Sequence, residues 1–233
     1  MKLTNTHIEK LYKFTKKHYV EYYDVQTELV DHLANDIESI CTENPRLTFE
    51  QARDTSFKKF GVFGFMNVVE KKQSQMTKKY FKIIFKFVKE WFQLPKIILT
   101  ILLFTGFYQL QNTSNAYTVY VTVFGFVFIA QVILTIINAR TLKKEFNLTQ
   151  KKWLFKNIIN VQGLIQTAFI SIYSFQYFFP NNAKEFLVMA DFRKAFSAFF
   201  ITFIVIFGYI TLIVIPKKAE ELLAETYPEY KLV

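Results

Sequence analysis

The sequence predicts an all-α membrane protein, a small helical cytoplasmic module followed by a four-helix transmembrane bundle. Three observations lead there. A chain of 233 residues that is 52% apolar, with 28 Phe and 13 Tyr, still carries 21% charged residues. Its mean hydropathy is nevertheless positive, +0.16, so charge and apolar surface are sorted into separate regions. Four long stretches almost free of charge place spans at about 96–112, 117–139, 157–180 and 195–215, each near the length a ~30 Å hydrocarbon core requires. The first 70 residues are polar and helically periodic. One Cys and three His exclude a disulfide framework and a zinc ribbon, and six Gly exclude an ordinary glycine-loop nucleotide enzyme.

Residues 1–70 form the cytoplasmic module. Met1 is followed by polar and charged residues without an apolar run, so no cleavable signal peptide is expected. Thr6 and Glu9 have the spacing of a capping box that opens a first helix. A second helix is expected from about Tyr22 to Cys41, because Tyr22, Val25, Leu29, Leu33, Ile37 and Ile40 recur every three or four residues. Asp24, Glu28, Asp31, Asn35 and Glu38 fall on its other side. Thr48 and Gln51 cap a third helix, which Gly61 stops. About 70 residues is marginal for independent stability, so the module is expected to lean on a partner, on the membrane or on a second copy of the chain.

The acidic stripe has two readings: a solvated face, or a docking surface for a basic protein partner. The absence of lysine from residues 18–45, in a lysine-rich chain, sharpens the second. Glu28, His32 and Asp36 lie four residues apart and are neighbours on one helix. A single helix supplies too few ligands for a metal, so no metal or other cofactor is expected, and interhelical pairing is the plainer role. No nucleophile–base motif occurs, so no catalytic residues are expected.

The run Val25-x-x-Glu28-Leu29-x-Asp31-His32-Leu33-x-x-Asp36-Ile37-Glu38, then Leu47-Thr48-Phe49-Glu50-Gln51-Ala52, then Phe60-Gly61, resembles a short helical module of bacterial membrane proteins. It is similar to the permease-prefix domain and to the HTH-associated α-helical signalling (HAAS) domain. The resemblance covers about residues 20–65. It implies a protein of the bacterial cell inner membrane whose cytoplasmic module engages another protein, often a PadR-like transcription regulator. Pro45-Arg46 stands where those relatives have a glycine-rich turn, and no long permease region follows, which favours the signalling relatives.

Residues 71–95 read as a basic amphipathic helix lying in the membrane interface. Lys78, Lys79, Lys82, Lys86 and Lys89 alternate with aromatics up to Trp91, and Pro95 allows a bend into the first span. The basic connection Arg140 to Lys156 contrasts with the uncharged loop Asn112 to Ala116 and the nearly balanced last loop. That alternation puts both termini in the cytoplasm. The positive charge therefore reads as anchoring to a lipid bilayer and not as direct nucleic-acid binding.

The spans carry no ionisable residue in their central parts, which argues against an ion-coupled transporter. In the third span Asn160, Gly163, Thr167, Ser171 and Ser174 share one face, a packing seam or a polar cavity. The tail 217–233 is expected to lie against the basic middle loop. The function these features point to is non-enzymatic membrane signalling or regulation. The alternative is a small transporter or an accessory subunit of a transport complex.

Overall fold

The computed structural model describes residues 2–180, 182, 184, 185 and 188–227, with the side chains of residues 174 and 176 excepted. Among the described residues every regular element is helical. The chain divides into two compact units. The first holds the residues up to Lys78 together with Leu142–Asn157, and the second holds Lys79–Thr141 together with the residues from Ile158 onward. The front unit thus takes in part of the basic middle connection.

In the front unit, α1 (Asn5–Lys17), α2 (Tyr23–Glu43) and α3 (Phe49–Lys58) pack with α2 in the middle. Val25, Leu29, Leu33, Ile37 and Ile40 are buried, so the apolar stripe of α2 is the core. Each such side chain contributes about 1.5–3 kcal/mol of burial. Thr48 caps α3 as expected: its hydroxyl accepts from Gln51 N–H at 3.3 Å, and the Gln51 side chain accepts from Thr48 N–H at 3.0 Å. The first helix differs. It starts at Asn5, and the cap is Thr4, whose N–H donates to His7 Nδ1 at 3.3 Å. An imidazole at the third helical position serves Thr4 as the Glu9 carboxylate was expected to serve Thr6. Gly61 turns the chain with φ +77°, and Gly64 follows with φ +53°; both are left-handed conformations that favour glycine. The His18 ring packs at tilted and edge-on angles among Phe14, Phe57 and Phe65. Burial, then the charges of Lys17 and Arg53, hold its pKa below the usual histidine value and favour the neutral ring.

The chain continues into α4 (Met66–Trp91), which turns by 87° into α5 (Lys96–Leu110) across residues 92–95, the bend that Pro95 permits. In the second unit, Tyr80, Ile84, Phe87 and Trp91 form the buried stripe of α4. Lys82, Lys86 and Lys89 are exposed on its other side with Phe85. Helix α6 (Ala116–Thr149) is long and continuous. The third stretch is built of pieces: α7 (Leu154–Asn157), a π-helical turn Ile158–Gln162, and α8 (Gly163–Phe178). Helix α9 (Asp191–Tyr209) continues through a second π-helical turn, Ile210–Val214, and a last helical turn, Ile215–Lys217. It packs on α5 and α8, and Gly208 lets Val127 of α6 come close. A short α10 (Ala219–Thr226) closes the described chain.

Among the described residues two helices are long and apolar enough to cross a bilayer, Ala116–Thr149 and Asp191–Lys217, and a third qualifies if α4 and α5 count as one bent span. The expected four are not reached by length and composition. Helix α5 has 15 residues, about 22 Å at 1.5 Å per residue. The third stretch is interrupted by its π-helical turn and diluted by Asn160, Gln162 and Gln166. Only 17% of the most apolar window of α6 is buried by the protein itself. Phe126, Ile129, Ile133 and Ile137 stand exposed along it, a row of large apolar side chains of the kind that marks a membrane or protein contact.

Candidate functional site

Within the front unit, α2 meets two other pieces of the chain. The first is the connection 151–157. Gln150, in a left-handed conformation with φ +54°, ends α6 and redirects the backbone. The next residues settle on the start of α2. Tyr23 N–H donates to the Lys152 carbonyl at 2.7 Å, and Lys152 Nζ reaches Glu21 at 2.7 Å. Leu154 N–H, in the first turn of α7, donates to Asp24 Oδ1 at 3.1 Å. Asn157 Nδ2 donates to the Tyr22 hydroxyl at 3.2 Å. The Trp153 ring meets Tyr23 edge-on with centroids 5.4 Å apart, and Trp153, Leu154 and Phe155 are buried. Asp24 therefore acts as a helix-start cap supplied from 130 residues away.

The second is a cleft of about 600 Å³ walled by α2, the end of α3 and the first turns of α4. Glu28, His32 and Asp36 form the α2 wall, so the triplet singled out by its spacing does share one surface. Lys72 of α4 pairs with Glu28 at 2.5 Å, and Lys59 pairs with Asp36 at 2.6 Å. Burial alone would raise the Asp36 carboxyl. Hydrogen bonds from Lys59 and Ser56 outweigh that and hold it below the usual carboxylate range. The interhelical pairing expected of the triplet is thus present at both ends. Among the described residues no cluster of three or more His, Cys, Asp or Glu could hold a metal.

The five residues expected to dock a partner are not equivalent. Asp24 is 6% exposed and lies under the 151–157 segment, so it belongs to an internal contact and not to an open face. Glu28 is engaged by Lys72. Glu38 accepts from Leu3 N–H at 2.8 Å. Asp31 and Asn35 are exposed. Of the residues expected at the membrane interface, Lys78, Lys82, Lys86 and Lys89 are exposed and Lys79 is half-buried, donating to Thr226 Oγ1 at 2.9 Å. Within the second unit the tail helix is thus bonded to α4, and residues 228–233 of the tail lie outside the described residues. Trp91 is also placed differently. Its indole N–H donates to Thr100 Oγ1 at 3.0 Å and its ring packs on Tyr209, because it continues the buried stripe of α4.

In the third stretch Gly163, Thr167 and Ser171 are buried and on one face, whereas the Ser174 side chain lies outside the described residues. Thr167 and Ser171 bond back to the Leu164 and Thr167 carbonyls at 3.0 Å each. Their hydroxyls are thereby satisfied along their own helix, as in a packing seam. The Asn160 carbonyl accepts from Asn138 Nδ2 at 3.1 Å and joins α6 to the π-helical turn. The clamp of 151–157 was missed from the sequence. Its signal was the apolar triplet Trp153-Leu154-Phe155 inside a basic run, opposite a lysine-free helix.

Comparison of the chain with family models, with curated proteins and with solved structures finds no match.

Proposed function

We propose that the chain is a non-enzymatic integral membrane signalling or regulatory protein of the bacterial inner membrane. It spans the bilayer four times with both termini in the cytoplasm, and its front unit docks a soluble protein. The observation that carries the reading is the clamp at Asp24. It fastens the front unit to the backbone that joins two apolar helices, so a shift in those helices reaches α2, and capture of a partner on α2 reaches the helices. Helix α4 supplies a second covalent route between the same regions, through the stripe Tyr80 to Trp91.

The fourth span in this reading is the stretch at about 157–180, whose helical part beyond the clamp runs through the π-helical turn from Ile158 to Phe178. Its 21 residues from Ile158 to Phe178 are long enough for a core of ~30 Å, and Gly163, Thr167 and Ser171 are buried along it. The docking face narrows to Asp31 and Asn35, with Glu38 at its edge, and suits a basic partner. The resemblance to HAAS-type modules makes a PadR-like regulator the first partner to test.

Charge reversal at Asp31 and Glu38 tests the docking reading. The Asp31→Lys, Glu38→Lys variant is expected to remain in the membrane fraction. It should lose a soluble protein that the wild type retains at low salt and releases at high salt, as exposed charge pairs do. Recovery of the same proteins at the same salt by both forms overturns the docking face.

A further inference from the structure

We propose that the cleft between α2, the end of α3 and α4 binds a small phosphate-bearing anion. The cleft's volume, about 600 Å³, lies within the ~300–1,000 Å³ usual for small-molecule sites. Its acids are already spent: Glu28 is held by Lys72 and Asp36 by Lys59. What remains is a set of donors. Among the described residues no acid lies within ion-pair distance of Lys71, whose position on α4 places it on the cleft wall. His32 faces the same space, with Asn67 and Gln75 adding amide N–H groups. Lys59 and Lys72 each keep further N–H donors beyond the one used in pairing.

Three ammonium groups against two carboxylates leave a positive balance. A metal cation would meet that balance and no cluster of ligands, and an apolar ligand would strip water from charges without replacing it. A phosphate group offers several charged oxygens to converging donors, the arrangement in which charge-assisted hydrogen bonds are strongest. Asp31 and Asn35 are not part of this wall, so the anion site and the docking face fail or stand separately.

Two sources have this chemistry, a soluble phosphate compound and an anionic lipid headgroup. The experiment uses the full chain in phosphatidylcholine nanodiscs, titrated with inorganic pyrophosphate by calorimetry. A parallel arm uses nanodiscs containing phosphatidic acid, read by the NMR signals of the His32 ring. The result expected is saturable one-to-one binding of pyrophosphate, or a His32 shift confined to the phosphatidic acid discs. The Lys71→Gln, His32→Asn variant should weaken either by about tenfold or more, the scale of one lost charge-assisted bond. Lys13→Gln, on exposed α1, should leave both unchanged. Pyrophosphate saturation identifies the soluble source and the lipid-dependent shift identifies the headgroup. Absence of both responses overturns the proposal, and so does equal weakening by Lys13→Gln, because that would be unspecific attraction. Circular dichroism of the variant confirms that loss of binding is not loss of fold.

Discussion

Gly163→Ala is expected to be among the most damaging single methyl additions in the chain. A Cβ at this position would meet the Tyr80 ring at 2.4 Å from Cζ and 2.5 Å from Cε1, with the hydroxyl at 2.6 Å. Tyr80 is fully buried, so the ring has little room to withdraw. Overpacking of this kind costs about 1–3 kcal/mol. The thermal midpoint of the protein in detergent should fall by several degrees, in line with ~1–3 kcal/mol for a domain of this size. The partner residue supplies the control. Tyr80→Phe removes only the hydroxyl, which has no hydrogen-bond partner among the described residues. It should cost little alone and fail to rescue Gly163→Ala, since the ring carbons stay. Tyr80→Leu removes the ring atoms that collide and should restore part of the loss in the double variant. Additive losses in Gly163→Ala, Tyr80→Leu would show that the two residues do not meet.

Asp24→Ala is expected to release the 151–157 segment. The carboxylate is buried, and the group it serves, Leu154 N–H, belongs to a fully buried residue. Deleting the acceptor leaves a buried donor unpaired, at a cost of about 1–3 kcal/mol. The contacts that remain are the exposed Glu21–Lys152 pair, worth at most about 1 kcal/mol, the Tyr23–Lys152 backbone bond, the Asn157–Tyr22 bond and the packing of Trp153 on Tyr23, so the segment opens more often without the Asp24 cap. Trypsin cutting after Lys151 and Lys152 should therefore speed up by about tenfold or more, because cleavage follows the population of the open form. Asp24→Asn keeps an oxygen acceptor without the charge and should fall between wild type and Asp24→Ala. Glu21→Gln should change little. Equal cleavage in wild type and Asp24→Ala would remove the clamp, and with it the coupling on which the proposed function depends.

How much of this was legible in the sequence depends on the range of the interaction. The core stripe of α2 and the Thr48–Gln51 cap are set by neighbours within a few residues, and both are found where the spacing put them. The start of α1 moved because His7 accepts from Thr4 at the same offset that Thr6 and Glu9 display, and local spacing does not rank the two. Lys78, Lys82, Lys86 and Lys89 of α4 are exposed and Lys79 is half-buried, and the same helical period carries Trp91 into the buried stripe. Asp24 reads as one more acid on a polar face. Only the fold brings Leu154 to it, and a basic connection discloses no address 130 residues away. The π-helical turns left no mark in the periodicity, so the third stretch reads as one continuous span. Gly163 was visible as a small residue in a seam, and the identity of the side chain filling its space was not.

The account depends most on lipid surrounding the second unit, whose α6 leaves its apolar side chains uncovered. Extraction of isolated membranes with alkaline carbonate, followed by flotation, tests that directly. The chain should stay with the floating lipid and leave it only when detergent is added. Release into the carbonate supernatant, or a monodisperse species in detergent-free buffer, would contradict the account.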